Sequence, residues 1–416
     1  MRETSMDHGP PIAVTRANAE VALAGLPYFV RRALNYALDI RKGTVTVVLP
    51  GGKAFLFRGD LPGPSGTLIV RDYGFARRLA NGGDIGFAEA YIRGEWDSPD
   101  VTAFLEVFSA NHEYISSLLT GNPIARMWQN FRHWLNKNTK AGSRRNIHAH
   151  YDLGNAFYSQ WLDGTMTYSS ALFDPNDQDL ATAQTRKYRA LAEKTRIGPN
   201  DHVLEIGCGW GGFAEFTARE IGAKVTGLTI STEQYDYARK RIFEAGLNEK
   251  VEIKLQDYRD ETGLFDRVAS IEMFEAVGKE FWGTYFGQLR ERLKPGGAAG
   301  VQVITIKEQI FENYVREQDF IRRYIFPGGM LPTPTIMKEL GEKVGMPLVH
   351  DRDFGHDYAR TLAEWRNRFL KAWPSLAPLG FDERFKRIWQ YYLHYCEAGF
   401  RSGSIDVRQM VFARHD

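Results

Sequence analysis

Cysteine is scarce in this 416-residue chain, where Cys208 and Cys396 are the only two. They lie far apart and form no CxxC pair, which excludes a disulfide framework and a cysteine-built zinc site. Two reduced thiols fit the cytoplasm. No apolar run approaches the roughly 18 to 20 residues that a spanning helix needs. The start, MRETSMDHGPPIAV, lacks the charged-then-apolar form of a secretory leader. A soluble protein, free to touch a membrane surface, is expected. Net charge is also scarce, since 53 Lys and Arg face 51 Asp and Glu and leave +2. Any electrostatic signal is therefore local, and nucleic acid is not an expected partner. Internal repeats and low-complexity tracts are absent, and 43% apolar with 25% charged residues excludes a disordered or fibrous class. Aromatics, by contrast, are plentiful at 13%, enough to line an apolar pocket or a membrane-facing surface.

On length alone two domains are expected. Residues 17 to about 42 read as helical, and TVTVVLP, KAFLFRG and GTLIVRD read as short strands before the helical AFLEVFSANHEYISSLL. That makes residues 1–120 a small α+β domain. Residues 121–146 form a basic aromatic linker, and through residue 151 Lys and Arg occur six times and Asp or Glu not once. Met127, Trp128, Phe131, Trp134 and Leu135 share one helical face, which suits either packing between domains or an interfacial helix on anionic lipid. His148 and His150 lack a Cys or acidic partner at ligand spacing, so they read as capping or packing residues, and no metal is expected. Residues 147–416 alternate strands with helices of 10 to 15 residues, the pattern of an α/β, Rossmann-like, doubly wound and mostly parallel sheet. Ligands of such sheets sit at the carboxyl ends of the strands.

HVLEIGCGWGGF (202–213) is strand, glycine-rich turn, helix, with Gly207 and Gly209 letting the backbone turn sharply and approach a ligand. Dinucleotide sites and methyltransferases both use such a loop. The second strand ends GLTIS, without the acidic residue that would hold a dinucleotide ribose. It offers Thr229 and then Gln234. Asp257, in LQDYRD, suits an exocyclic amine, and Glu205 suits a cationic amino-acid portion. Together these favour S-adenosylmethionine over NAD.

YSSALF (168–173), VLEIGCGWGGFAEF (203–216), GLTISTEQ (227–234), LQDYRD (255–260), MFEAVG (273–278), YIFPGGMLP (324–332), DFGHDYARTLAEW (353–365) and AGFRSGSIDVRQMVF (398–412) closely resemble the successive signatures of the cyclopropane-fatty-acyl-phospholipid synthases and mycolic acid cyclopropane synthases. The resemblance runs from about residue 145 to the C-terminus. The N-terminal region is similar only in outline to the lipid-binding domain of the phospholipid enzymes.

The resemblance implies a class I methyltransferase that moves the methyl of S-adenosylmethionine to the cis double bond of a phospholipid acyl chain. The enzyme would sit peripherally on the inner face of the membrane, and a homodimer is left open. The implied cofactor contacts are Tyr168, Ser169, Gly207, Gly209, Thr229, Ile230, Gln234, Asp257 and Tyr258.

Attack by an alkene leaves a carbocation. Tyr358, Phe173, Phe274 and Tyr324 are candidates to stabilise it, with Tyr358 at a family active-site position. A base then removes a proton. The resemblance implies bound bicarbonate as that base, and Glu275, Tyr358 and Ile304 match its expected surroundings. Two positions depart, where Ser170 replaces the usual Cys and Gln302 the usual His. Cyclopropane formation leads, and a methyl-branched or methylene product without ring closure is the alternative. Of the two glutamates in SIEMFEAVG, Glu275 is read as a wall of the acceptor site. Glu272 is read as contacting the cofactor or, more in keeping with a local peculiarity, pointing into a solvated cleft.

Overall fold

The computed structural model describes residues 9–119, 153–176 and 179–416. The linker 121–146 and the pair His148 and His150 lie outside the described residues. The chain forms two compact units. The first holds the described N-terminal residues together with 313–324 and 381–404, and the second holds the rest. The sequence reading had given both of those late segments to the second domain. Their apolar faces find partners in the first unit instead: Tyr391, on the helix Glu383–Arg401, packs against Tyr91 and Phe320, and Arg387 Nε donates to Tyr91 O.

The first unit carries a five-stranded sheet of β1 (Ile12–Ala13), β2 (Lys42–Val48), β3 (Ala54–Arg58), β4 (Leu61–Val70) and β5 (Trp96–Asp97), in the order β1-β3-β2-β4-β5. The alternating pattern of β2 buries every second residue, as a half-covered strand requires. The stretch over 17–42 expected to be helical holds the helices Ala19–Ala22 and Tyr28–Tyr36. Gly25 turns through φ +80 between them, and Pro27, the N-cap of the second, has no N–H to continue the first. The next expected helix divides at Asn111 into Val101–Ala110 and His112–Leu119. The Asn111 side chain leaves the helix to accept from Arg41 and Lys42 N and to donate to Lys42 O.

The second unit is built on β6 (His202–Ile206), β7 (Lys224–Thr229), β8 (Val251–Leu255), β9 (Phe265–Ile271), β10 (Leu293–Ile306), β11 (Leu348–Asp353) and β12 (Ile405–Ala413). Their order is β11-β12-β10-β9-β6-β7-β8. Strands β6 to β10 run parallel, and the β11–β12 edge is antiparallel. This is the Rossmann-like architecture expected from the sequence. Continuous burial of Val203–Ile206 shows that β6 is covered on both faces, as central parallel strands are. Phe213, Phe216 and Leu191 pack with Val203, Val225 and Ile253 into one core cluster. Strand order reverses between β6 and β9, so a crevice opens beyond their carboxyl ends. There the chain places Gly207 after β6 and Glu272 after β9.

Candidate active site

The glycine turn after β6 has three positive-φ residues, Gly207, Gly209 and Gly211. A Cβ at Gly207 would strike Met273 Cγ at 2.7 Å, so that glycine serves close packing. A Cβ at Gly209 would meet nothing within 4 Å, so that glycine borders open space. Beside the turn, Thr229 Oγ1 donates to Gln234 Oε1 at 2.9 Å, and the helix Thr232–Glu244 is capped by Ser231. Ile230 between them is half-buried.

Glu205 is buried in β6, and its Oε2 has no partner among the described residues. Burial pushes its carboxyl well up, against the opposing pull of Lys187 and Arg241. An unpartnered acceptor beside an open glycine cradle fits a cationic amino-acid group. Asp257 is already engaged, its two oxygens accepting from the Arg259 guanidinium. Any ligand amine must share those oxygens with Arg259. Tyr258 stacks its face beneath the same guanidinium and sets its ring edge-on to Tyr285.

The segment 168–173 forms the second wall. Tyr168 packs against Tyr158, Trp161 and Trp365. Ser169 Oγ accepts from Lys187 Nζ at 2.6 Å, and its carbonyl accepts from Gln184. Ser170, expected to offer its hydroxyl to an anion, turns that hydroxyl onto Ala171 O. Its backbone N–H does the donating instead, at 2.8 Å to Glu272 Oε1.

Glu272 is the centre of this wall, and the solvated cleft expected for it gives way to a set of donors. Oε1 accepts from Ser170 N and from Gln302 Nε2, each at 2.8 Å. Oε2 accepts from Tyr358 OH at 2.6 Å. Gln302, wholly buried in β10, is oriented by its cross-strand neighbour Gln409, whose Nε2 donates to Gln302 Oε1 at 3.1 Å and to Lys187 O at 3.0 Å. Burial raises the Glu272 carboxyl, while Lys187 and its three hydrogen bonds pull the other way. Lys187 is itself held down to about 8 by burial, with Glu272 the leading opposing charge.

Glu275, three residues on, has one donor, Ile304 N at 2.5 Å, and its Oε2 is buried without a partner among the described residues. Burial and the neighbouring Glu272 push it up to about 8. The two carboxyls are thereby set apart: Glu272 is raised by burial but has three donors to answer its charge, whereas Glu275, with one donor and Glu272 beside it, is pushed up to about 8.

Not every aromatic candidate reaches this wall. Tyr358 does, with its ring edge-on to Trp365. Phe173 gives its face to the Arg360 guanidinium at 3.9 Å. Phe274 is wholly buried among Trp282, Tyr285 and Phe286, a core residue. Tyr324 belongs to the first unit, where its hydroxyl donates to Glu89.

Lys187 and Gln409 were missed in the sequence. A lysine among Ala183, Gln184, Tyr188 and Leu191, on the buried face of its helix, was the signal that could have found the first.

Residues 138–410 match the family model for mycolic acid cyclopropane synthetase. Tuberculostearic acid methyltransferase UfaA1 of Mycobacterium tuberculosis is 40% identical over 85% of this chain and 84% of its own length. Cyclopropane-fatty-acyl-phospholipid synthase of Escherichia coli is 36% identical over 83% and 87%. Mycolic acid cyclopropane synthase CmaA1, in a crystal structure complexed with SAH and CTAB, is 28% identical and superposes with a TM-score of 0.61, covering 65% of this chain and 98% of its own.

Proposed function

This chain belongs to the mycolic acid cyclopropane synthetase family and is an S-adenosylmethionine-dependent methyltransferase acting on lipid acyl chains, and from that premise we propose that it methylates the cis double bond of an unsaturated chain in a membrane phospholipid. One observation carries the reading. An open glycine cradle and a buried acceptor wall lined by Tyr168, Tyr358 and Trp365 adjoin one another at the carboxyl ends of β6 and β9.

S-adenosylmethionine supplies an electrophilic methyl group when bound. Glu205 would take its cationic amine, Thr229 and Gln234 its ribose side, and Asp257 with Tyr258 its base. Tyr168 and Ser169 would close over it. The residues of the wall do the rest. They keep water from a cation on the acyl chain, offer it the π face of Tyr358, and accept the proton that it loses.

Three products are open to that cation. Loss of a proton from the new methyl closes a cyclopropane, loss from a neighbouring chain carbon leaves a methyl-branched alkene, and a hydride shift to the first cation followed by loss from the methyl leaves a methylene group. The sequence placed ring closure first. The convergence of Ser170, Gln302 and Tyr358 on a tethered Glu272 favours the methyl-branched alkene, because an acceptor fixed at the end of β9 cannot follow the methyl hydrogens as a free ion can.

The test is incubation with vesicles of dioleoyl phosphatidylglycerol and methyl-labelled S-adenosylmethionine, followed by NMR of the acyl product. Olefinic signals beside labelled carbon are expected. High-field ring protons would return the product to cyclopropane, and no label in the acyl chain would overturn the function.

A further inference from the structure

We propose that Glu272 is the proton acceptor of the reaction, a carboxylate built into the chain that stands where a bound bicarbonate would otherwise be held. The inference rests on the acyl-methylation reading above.

The residues present do not fit a free anion. Of the side chains expected to surround one, the Gln302 amide and the Tyr358 hydroxyl end on the Glu272 carboxylate at 2.6 to 2.8 Å, joined there by the Ser170 N–H, while the Ser170 hydroxyl is spent on Ala171 O. Gln302 is locked in that orientation, because Gln409 donates to its Oε1 and leaves only its N–H groups to face Glu272. A second anion would have to displace the carboxylate from its donors and sit beside its charge.

The lone pairs of Glu272 also point to a base. Oε1 is filled by two donors, whereas Oε2 receives one, from Tyr358, and keeps one lone pair open among the described residues. The remaining expected member, Glu275, is bound to Ile304 N and does not compete for the same donors.

Backbone geometry supports the same conclusion from another direction. Glu272 has φ +50, one of three non-glycine residues among those described with positive φ. Such a conformation costs of order 1 kcal/mol or more for a residue with a Cβ, and glycine would adopt it freely. The chain keeps a glutamate where a glycine would relax the turn, so the carboxylate is what the position retains.

In the step itself the alkene π pair forms the new C–CH3 bond as the S–CH3 bond breaks. A C–H bond beside the cation then breaks, its pair becomes the new C=C bond or ring bond, and the proton passes to Oε2 of Glu272. It returns to water when the product leaves. No oxidant or reductant is needed.

The experiment compares wild type, Glu272→Gly and Glu272→Gln in bicarbonate-depleted buffer, with S-adenosylmethionine affinity measured by calorimetry to show a folded cofactor site. Wild type is expected to turn over equally with and without bicarbonate. Both variants are expected to lose roughly 10²- to 10⁴-fold in turnover. Added bicarbonate, formate or acetate should restore Glu272→Gly saturably and leave Glu272→Gln unrestored, since its amide still fills the space. Wild-type turnover that requires bicarbonate would overturn the proposal. So would a Glu272→Gly variant that keeps its turnover, or one that binds S-adenosylmethionine yet responds to none of the three anions. A wild type that places no label in acyl chains would instead overturn the acyl-methylation reading on which the proposal rests.

Discussion

Glu275 and Glu272 are three residues apart, yet they differ in how many donors answer their charge. With Ile304 N as its one donor and Glu272 as neighbour, Glu275 is raised from 4.5 to about 8. In the fold it keeps its proton between those values, whereas in the unfolded chain it has lost it. Stability from this group is therefore fully present below about pH 4.5 and is lost as pH rises through about 8. Glu275→Gln should remove that slope, so that the variant gains on wild type in urea unfolding as pH increases from 5 to 8. Parallel curves for the two proteins would place the proton elsewhere. The expectation for Glu275 came from its motif. The donor set of Glu272 was not legible there, because a carboxylate's charge state depends on donors that sequence neighbours do not supply.

At the scale of elements, the β10–β12 pair sets the site as much as the glycine turn does. Antiparallel register puts Gln302 opposite Gln409, both wholly buried, and the second amide orients the first. Gln409→Leu keeps the size and removes the donor to Gln302 Oε1 and to Lys187 O. A loss of about 1 to 3 kcal/mol in urea unfolding is expected for stranding those acceptors. Turnover should fall as well, since the Gln302 amide can then flip and turn its oxygen toward Glu272. Unchanged turnover in a destabilised protein would confine Gln409 to a structural part. Strands β6 to β10 could be read from their apolar runs and glycine punctuation. The glutamine pair could not, because a polar residue inside a strand reads the same whether its partner is water or a residue 107 positions away.

For the whole molecule, all the expected cofactor residues fall in the second unit, and the first carries none of them. Saturating S-adenosylmethionine should therefore stabilise the second unit by about 2.7 kcal/mol at a hundredfold excess over its dissociation constant. Scanning calorimetry should show one transition moving upward while any separate transition of the first unit stays in place. A shift of both would mean that the two unfold as one. Contact between distant segments also explains why the expected domain boundary differed: the segments 313–324 and 381–404 lie late in the chain, but Tyr391 packs on Tyr91 and Trp96, Phe320 packs on Tyr391, and the Tyr324 hydroxyl donates to Glu89. The sequence by itself determined the Rossmann-like class, the glycine cradle and the family, since strand period, positive-φ turns and short signatures are written in adjacent residues. Tertiary structure alone decided which glutamate gathers the donors. The donors to Glu272 come from Ser170, Gln302 and Tyr358, residues 102, 30 and 86 positions away, and only folding brings their N–H and O–H groups to one carboxylate.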